Sequence, residues 1–298
     1  MLNNKPIIVI TGASGFIGSY LVNYFLESNY CVRGLYHNYP EKKSNTNFEA
    51  FQFNLSSEIN PNHFENADYV VHCAWENYNG NESSNENNIN GTLMLRNYCR
   101  EMGIKKFVFL SSMSAHENSL SNYGKTKHIL ESQFENLNEL VIKPGLVLGN
   151  GGLFSKIDFF IKKHSIIPLI DGGHQSLQTL LIHDLAKAIQ IGIEKDLNGL
   201  LLLSEIEPIE IRNLYSTLAE IYHKKIIFVN ISFSIVKLVF QLIKFSSIPF
   251  NLSLENLLGL KQLRSLDVRN DLKVFRLTPK TYKESLYILK ANESVKKH

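Results

Sequence analysis

Cysteine is scarce in this sequence, and neither sign of charge predominates. The three cysteines among 298 residues, Cys31, Cys73 and Cys99, are widely spaced in apolar segments. This spacing argues against a disulfide framework and predicts reduced core thiols in a cytoplasmic protein. The formal net charge is +3 with acidic and basic residues interspersed, which argues against a nucleic-acid-binding face. The histidines, among them His174 and His183, show no metal-ligand spacing, so we expect no metal site.

Long apolar runs are also lacking. A membrane span needs roughly 18 or more uninterrupted apolar residues, and no stretch reaches that length. The N-terminal apolar run is too short for a signal peptide. The nearest candidate for a span, residues 231–250, carries Lys237, Gln241 and Lys244 on one helical face. This spacing predicts a surface or interface helix, with contact to a membrane surface as the alternative.

Short β-branched runs alternate with helix-like stretches in the first half of the chain. The spacing of apolar residues predicts helices over 16–28, 85–103 and 122–135. The strands are predicted at 7–11, 31–36, 48–53, 69–73, 107–111 and 140–143. This order is typical of a parallel sheet that helices cover on both faces.

The alternation predicts an α/β fold with a doubly wound parallel sheet of the Rossmann type and a smaller C-terminal α/β substrate lobe. Beyond Pro144 the pattern loosens into a glycine-bearing loop followed by further helices and short strands. We predict a dinucleotide-binding domain over residues 1–150 and a substrate lobe over residues 151–298. Elements near 175–205 are expected to return from this lobe to the first domain.

Three glycines follow the first predicted strand, within the stretch TGASGFIG. Gly12 would permit a tight turn, Gly15 the close approach of a pyrophosphate, and Gly18 close packing of the first helix on the sheet. The start of that helix would then face the phosphates. A purely structural turn is the alternative, but the position directly after a strand favours dinucleotide binding.

A serine, a tyrosine and a lysine follow the fifth predicted strand. Tyr123 and Lys127 are four residues apart, so a helix places them on one face, where an ammonium would lower the phenol pKa. Tyr123 could then exchange a proton with an alcohol or carbonyl, and Ser112 could hydrogen-bond the same oxygen. The alternative is an exposed aromatic residue beside a solvated lysine.

In chain order, six segments resemble the extended short-chain dehydrogenase/reductase family, in particular its NAD-dependent epimerase/dehydratase branch, which acts on nucleotide sugars. They are TGASGFIG, YVVHCAW, NNINGT, FVFLSSMS, YGKTK and VIKPGLVLG. The resemblance implies a nicotinamide cofactor across the strand ends and Ser112, Tyr123 and Lys127 as the catalytic group. It also implies a C-terminal lobe that closes over a small-molecule substrate, and helices that commonly pair into a homodimer.

The resemblance further implies a set of cofactor-binding residues: the phosphate turn, a pair beside the adenine, a residue under the ribose, the catalytic lysine and a residue along the nicotinamide. In that order they are Gly12, Gly15, Phe16, Ile17 and Gly18, then Asn54 and Leu55, then Ala74, Lys127 and Pro144. The family usually has aspartate where this chain has Asn54. Asn88 matches the asparagine of the family's NxxGT helix.

The end of the second predicted strand departs from members of the family that use NAD, which commonly carry an acid there for the ribose hydroxyls. This chain has Arg33 and His37 in that region, followed by Lys42 and Lys43. Without the carboxylate, a 2′-phosphate is not repelled and basic groups could attract it, which favours NADP over NAD. Arg33 could equally be a strand residue that faces solvent.

The reaction type is less well defined than the cofactor. Met113 follows Ser112 where the family's dehydratases carry an acidic pair, so dehydration is disfavoured. His116 and Glu117 could act as acid/base groups, although a solvated turn is the favoured interpretation. Trp75, the only tryptophan, could form a wall of the sugar pocket or serve in ordinary packing.

These features predict an NAD(P)-dependent oxidoreductase that acts on a nucleotide-activated sugar, as a keto-sugar reductase or an epimerase. Two alternatives remain open at this point. One is a non-catalytic dinucleotide-binding sensor or assembly protein, and the other is a reductase of non-sugar carbonyls.

Overall fold

The computed structural model describes residues 5–38, 46–78, 82–134, 138–235, 253–262 and 264–295. The strands are β1 (Ile7–Thr11), β2 (Cys31–Tyr36), β3 (Phe48–Gln52), β4 (Tyr69–His72), β5 (Lys106–Leu110), β6 (Glu139–Pro144), β7 (Leu146–Leu148), β8 (Ile166–Ile170), β9 (Ser176–Leu177), β10 (Thr179–Leu181), β11 (Gly199–Leu203), β12 (Ile209–Glu210) and β13 (Ile227–Ile231). The α-helices are α1 (Phe16–Glu27), α2 (Ser83–Glu101), α3 (Asn122–Glu131), α4 (Gly152–Lys163), α5 (Ile182–Glu194), α6 (Ile211–Ile221), α7 (Leu254–Lys261), α8 (Arg269–Phe275) and α9 (Tyr282–Val295).

A seven-stranded sheet lies at the centre, in the order β11-β6-β5-β4-β1-β2-β3. All of its strand pairings are parallel. The six strands predicted from the sequence match β1 to β6 to within one residue at each end. The doubly wound parallel sheet is therefore confirmed.

Both faces of the main sheet are buried, as expected for parallel strands. Along β1, Ile8 and Ile10 point into one apolar core, which α1 and α5 cover. Val9 points into a second apolar core on the other face, which α2 and α3 cover. Successive residues of a strand point to opposite faces, so the continuous apolar run IIVI supplies both cores at once.

The strand order reverses at β1. The chain passes from β1 to β2 and β3 on one side, and then returns to β4, β5 and β6 on the other. In open parallel sheets the crevice at such a reversal, beyond the carboxyl ends of the strands, is the usual ligand site. The segments after β1, β4 and β5 all meet at this edge.

A third apolar core lies in the C-terminal half of the chain, where α4, α6, α7 and α9 pack together. Three small two-stranded sheets accompany it: β7 with β10, β8 with β13, and β9 with β12. Helix α5 and strand β11 depart from this arrangement, because β11 pairs with β6 in the main sheet. The division of the chain at residue 150 stays a prediction.

The surface helix predicted for residues 231–250 does not begin where expected, because Ile231 is the last residue of strand β13. Residues 236–250 of that segment lie outside the described residues. Within the described ranges, no helix is both long enough and apolar enough to cross a membrane.

Candidate active site

The turn after β1 explains two of its three glycines by packing. Gly12 has a φ of +65°, and a Cβ atom there would lie 2.7 Å from the backbone nitrogen of Ala74. A Cβ atom on Gly18 would collide with the carbonyl oxygen of Gly12. The predicted tight turn and close helix packing therefore both occur, and side chains are excluded at these positions.

Packing against the described residues does not explain the third glycine, Gly15. Its backbone is ordinary, with a φ of −75°, and the residue is exposed. The only contact within 4 Å that a Cβ atom would make with the described residues is the Gly12 carbonyl oxygen at 3.1 Å. Helix α1 begins at the next residue and has no side-chain cap, which leaves its first N–H groups for an anion. The turn thus fits a dinucleotide pyrophosphate, for which Gly15 leaves room.

The other residues of the turn belong partly to the core. The ring of Phe16 lies beneath the loop after β7, where a Cβ atom on Gly149 or Gly151 would come too close to it. Ile17 packs against the core between the sheet and α1. Phe16 and Ile17 therefore hold the turn in place through packing.

Thr11, which the sequence analysis did not single out, joins the end of β1 to the end of β4. Its hydroxyl oxygen accepts hydrogen bonds from the backbone N–H groups of Cys73 and Ala74, both at 3.1 Å. The hydroxyl proton is then directed to Nδ1 of His72 at 2.8 Å, so Nε2 of His72 donates to Thr92 at 3.0 Å. Burial lowers the pKa of His72 to about 3. This neutral histidine thus fixes Ala74 beside Gly12.

The predicted Asn88 has a clear structural role in the same region. Its side chain accepts the N–H of Glu76 at 2.8 Å and donates to the Glu76 carbonyl at 2.9 Å. Three residues along α2, a Cβ atom on Gly91 would collide with the carbonyl oxygen of Leu55. The NNINGT motif therefore docks α2 onto the segments after β3 and β4. Asn54, next to Leu55, is half-buried.

The structure brings Ser112, Tyr123 and Lys127 together at the carboxyl edge of the sheet. The Ser112 hydroxyl accepts the N–H of Ser114 at 3.2 Å and lies 2.9 Å from its hydroxyl. Lys127 donates from Nζ to the carbonyl of Leu110 at 2.6 Å, and Nζ lies 5.9 Å from the centre of the Tyr123 ring. Pro144, at the end of β6, accepts the N–H of Met113 at 3.0 Å.

Trp75 forms a wall of this cluster. Its ring meets the Tyr123 ring edge-on, with centroids 5.4 Å apart. The ammonium nitrogen of Lys127 lies 3.8 Å from the centre of the Trp75 ring, close enough for a cation–π interaction. Trp75 also packs against the apolar core on the α2 and α3 side of the sheet, so its role as a wall of the sugar pocket stays a prediction.

Burial shifts the pKa values of Tyr123 and Lys127 away from a phenolate–ammonium pair. Tyr123 as a whole is 36% exposed, but its hydroxyl group is buried. Burial raises its pKa to about 12, although the Ser112 hydroxyl lowers it. Burial lowers the pKa of Lys127 to about 7, with Cys73 and Glu131 opposing the shift. The Tyr123 pKa therefore lies above its ordinary value rather than below it, because desolvation is the largest contribution.

A buried ion pair holds the loop that carries Ser112. Lys143 donates to Glu131 at 2.9 Å and to the carbonyl of Ala115 at 2.6 Å. Ser111 donates to the other oxygen of Glu131 at 2.5 Å. The residues on both sides of Ser112 are thus tied to one charge pair. A lone lysine in the apolar strand VIKP was the available signal, because a buried charge requires a partner.

The prediction of a solvated turn is wrong for His116. Its side chain is buried, and neither ring nitrogen has a hydrogen-bond partner among the described residues. Burial lowers its pKa, and Arg264 and Lys143 lower it further. The reason is that the loop folds inward against β6 at Lys143. Glu117 is exposed, as expected.

Arg33 does not face solvent, which contradicts one of its two interpretations; its predicted contact with the cofactor stays a prediction. It lies in the middle of β2 and donates to the Glu49 carboxylate on β3 at 2.7 Å and to the carbonyl of Glu65 at 2.5 Å. Only 14% of its side chain is exposed. His37, just beyond the end of β2, is exposed, and Lys42 and Lys43 lie outside the described residues.

Comparison with known proteins agrees with this geometry. The model of the NAD-dependent epimerase/dehydratase family matches residues 8–196, more than half of the chain. The chain therefore belongs to the NAD-dependent epimerase/dehydratase family and is an enzyme of the extended short-chain dehydrogenase/reductase type. This confirms the resemblance seen in the motifs. It also excludes the alternative of a non-catalytic dinucleotide-binding protein.

Individual relatives span most of the chain. A protein of Methanocaldococcus jannaschii assigned as a UDP-glucose 4-epimerase is 30% identical over 61% of this chain and 71% of its own length. A decarboxylating sterol-4-alpha-carboxylate 3-dehydrogenase of Dictyostelium discoideum is 24% identical over 70% of this chain and 74% of its own. The structure of MoeE5 in complex with UDP-glucose and NAD superposes with a TM-score of 0.72 at 19% identity, over 94% of this chain and 96% of that one. This last similarity confirms the fold.

Gly15→Val is expected to abolish dinucleotide binding while the protein stays folded. A valine side chain would occupy the place that the pyrophosphate needs, yet within the chain it meets little. Quenching of Trp75 fluorescence by NADH or NADPH measures binding, and circular dichroism checks the fold. Gly259→Val in α7, where a Cβ atom meets no described atom within 4 Å, is the control. Unchanged cofactor affinity in Gly15→Val would exclude the turn as the phosphate site.

Lys127→Met is expected to change how stability depends on pH. The pKa of Lys127 is about 7 in the fold against an ordinary 10.5, so the unfolded chain binds more protons between these values. The cost of burying Lys127 is complete below pH 7 and fades towards pH 10.5. The free energy of unfolding of the wild type minus that of the variant should therefore rise across this window, by at most ~1.4 kcal/mol per pH unit.

Urea unfolding at a series of pH values measures this difference. Lys125→Met, on an exposed position of the same helix, is the matched control for the loss of a lysine side chain. A difference that stays flat for Lys127→Met would contradict the lowered pKa.

Proposed function

We propose that the protein is an NAD(P)-dependent oxidoreductase acting on a nucleotide-activated sugar, as an epimerase or a keto-sugar reductase. The observation that carries this proposal is the grouping of Ser112, Tyr123 and Lys127 at the sheet edge that also holds the Gly15 turn. The family of the chain and the UDP-glucose 4-epimerase assignment of its M. jannaschii relative support the substrate class.

In the proposed chemistry, the cofactor transfers the hydride and residues of the chain transfer the proton. A bound nicotinamide would supply the hydride donor or acceptor, held by the turn around Gly15 and by the Ala74 segment. Tyr123, protonated at neutral pH because its pKa is about 12, gives its proton to the substrate oxygen in reduction and takes it back in oxidation. Ser112 donates a hydrogen bond to the same oxygen and fixes its position.

The role of Lys127 follows from its lowered pKa. Only the charged form of the amine favours the phenolate form of Tyr123, and a pKa lowered to about 7 makes that form less abundant near neutral pH. A bound oxidised nicotinamide ring carries a positive charge and would favour both the phenolate and the oxidation direction. Trp75 is proposed as the wall against which the sugar packs.

The two reaction types differ in cofactor stoichiometry. An epimerase oxidises and re-reduces one carbon and consumes no cofactor, so it converts UDP-glucose into UDP-galactose with the cofactor unchanged. A keto-sugar reductase consumes one NAD(P)H for each product. Following product by chromatography and cofactor by absorbance in one reaction distinguishes them.

A second candidate is a dehydrogenase or reductase of non-sugar carbonyls. The observation that favours it is the D. discoideum relative, a sterol-4-alpha-carboxylate 3-dehydrogenase that aligns over more of this chain than the M. jannaschii protein does. Thermal stabilisation by UDP or another nucleoside diphosphate would support the sugar substrate. Stabilisation by none of them would favour the second candidate.

We also keep the cytoplasm as the proposed location, since all three cysteines are free. A homodimer stays a proposal that rests on the family.

Tyr123→Phe is expected to lower turnover of the sugar substrate by on the order of 100-fold or more, because it removes the proton that the reaction needs. The cofactor dissociation constant should not change, since only one oxygen is lost. Ser112→Ala should cost less if Ser112 only orients the substrate oxygen. Wild-type turnover in Tyr123→Phe would transfer the proton role to another group, with His116 as the next to test.

The cofactor preference is proposed to be NADP(H) over NAD(H), because no carboxylate ends β2 and His37 lies just beyond it. Arg33 does not support this preference, because its side chain pairs with the Glu49 carboxylate. Arg33→Ala should therefore leave the ratio of NADPH to NADH dissociation constants within about twofold of wild type, whereas His37→Ala should reduce the preference. Titration of both cofactors measures this. A tenfold preference of the wild type for NADH, about 1.4 kcal/mol, would contradict the proposal.

A further inference from the structure

Helix α7 connects the C-terminal core to the loop between β5 and α3, which carries Ser112. On one side, Leu257 and Leu260 are buried in the core that α4, α6 and α9 also form. Its start is held by a reciprocal cap, in which the Ser253 hydroxyl accepts the N–H of Asn256 and the Asn256 side chain accepts the N–H of Ser253, both at 3.2 Å. The helix therefore has a defined position relative to that core.

The opposite side of α7 contacts the start of α3 through Glu255. One carboxylate oxygen accepts the backbone N–H of Asn122 at 2.7 Å and that of Tyr123 at 3.4 Å. The other oxygen accepts the side-chain amide of Asn122 at 3.1 Å. The first N–H groups of a helix have no partner within the helix, and Ser121 binds only that of Gly124. Glu255 supplies the missing partners and places a negative charge where the helix dipole favours it.

Gln262, just after α7, holds the preceding loop. Its side-chain nitrogen donates to the carbonyl of Asn118 at 2.6 Å, and its oxygen accepts the N–H of Leu120. A Cβ atom on Gly124 would collide with the Ser119 hydroxyl, so the loop and α3 also fit tightly against each other. A displacement of α7 must therefore move the loop and the first turn of α3 together.

We propose that Glu255 is a positioning residue for Tyr123: it transmits the position of the C-terminal core to the proton-transferring phenol, and Gln262 supports it. This inference rests on the proposed role of Tyr123. Glu255 does not touch the phenol oxygen. It acts through the backbone of Asn122 and Tyr123, which sets where the side chain of Tyr123 begins.

The test exchanges the carboxylate of Glu255 and the side-chain amide of Asn122. In Glu255→Gln, the negative charge at the start of α3 is lost, and both hydrogen bonds can form only if the Asn122 amide turns so that its oxygen faces the introduced NH₂. In Asn122→Asp, two carboxylates face each other. In the double variant Asn122→Asp/Glu255→Gln, the introduced amide can donate to the introduced carboxylate, and its oxygen can accept the backbone N–H groups.

We expect each single variant to lower kcat by about tenfold, with KM and the cofactor dissociation constant unchanged. The double variant should return kcat to within about threefold of wild type. Because Trp75 packs on Tyr123 and is the only tryptophan, its emission should shift in the single variants and revert in the double one. Glu220→Gln, an exposed carboxylate on α6, is the control for the charge change and should match wild type.

Wild-type kcat in Glu255→Gln would overturn the inference, and so would a double variant that does not recover. A loss of thermal stability with no change in kcat would show a purely structural role and would also overturn it. In the Tyr123→Phe background, Glu255→Gln should cause no further loss of turnover. If Tyr123→Phe itself keeps wild-type turnover, the proposed function fails. If Tyr123→Phe loses turnover and Glu255→Gln keeps it, only the present inference fails.

Discussion

The hydroxyl of Thr11 joins the two strands between which the order of the main sheet reverses. It accepts hydrogen bonds from two backbone N–H groups at the end of β4 and donates one to His72, which is buried and neutral. The close approach of Gly12 to Ala74 depends on this junction. A buried polar network of this kind is stabilising only when all its members are satisfied. The backbone groups that line the crevice proposed for the dinucleotide are therefore held in place by this network.

Charge is distributed unevenly around Ser112, Tyr123 and Lys127. The Glu131–Lys143 pair is buried and fully engaged, and it holds the residues on both sides of Ser112. Removing one partner of such a pair leaves an uncompensated charge and typically costs ~3–5 kcal/mol. Lys127 donates to a carbonyl, lies over aromatic rings and forms no ion pair within the part of the chain that the structure describes, so burial lowers its pKa. The site is thus rigid around Ser112, while the protonation of Lys127 and Tyr123 stays sensitive to whatever charge a ligand brings.

Much of the fold followed from local patterns. Runs of four to six residues, rich in apolar side chains, predicted β1 to β6 because strands buried on both faces carry largely apolar sequence. The glycine spacing predicted the turn before α1, and the four-residue interval predicted that Tyr123 and Lys127 share a helix face. Residue 231 was assigned to a helix but ends strand β13, since an apolar run of mixed composition does not distinguish a strand from a helix.

The sequence by itself determined the strand-turn-helix order, the identity of the glycines and the residue types at the site, because hydrogen-bonding geometry and hydrophobic period act between near neighbours along the chain. Only the tertiary structure decided which charged groups are buried and which residues they contact. It paired Arg33 with Glu49, buried His116 and brought Glu255 to the start of α3 from more than a hundred residues away. The physical reason is that desolvation and ion pairing depend on which distant segments pack together.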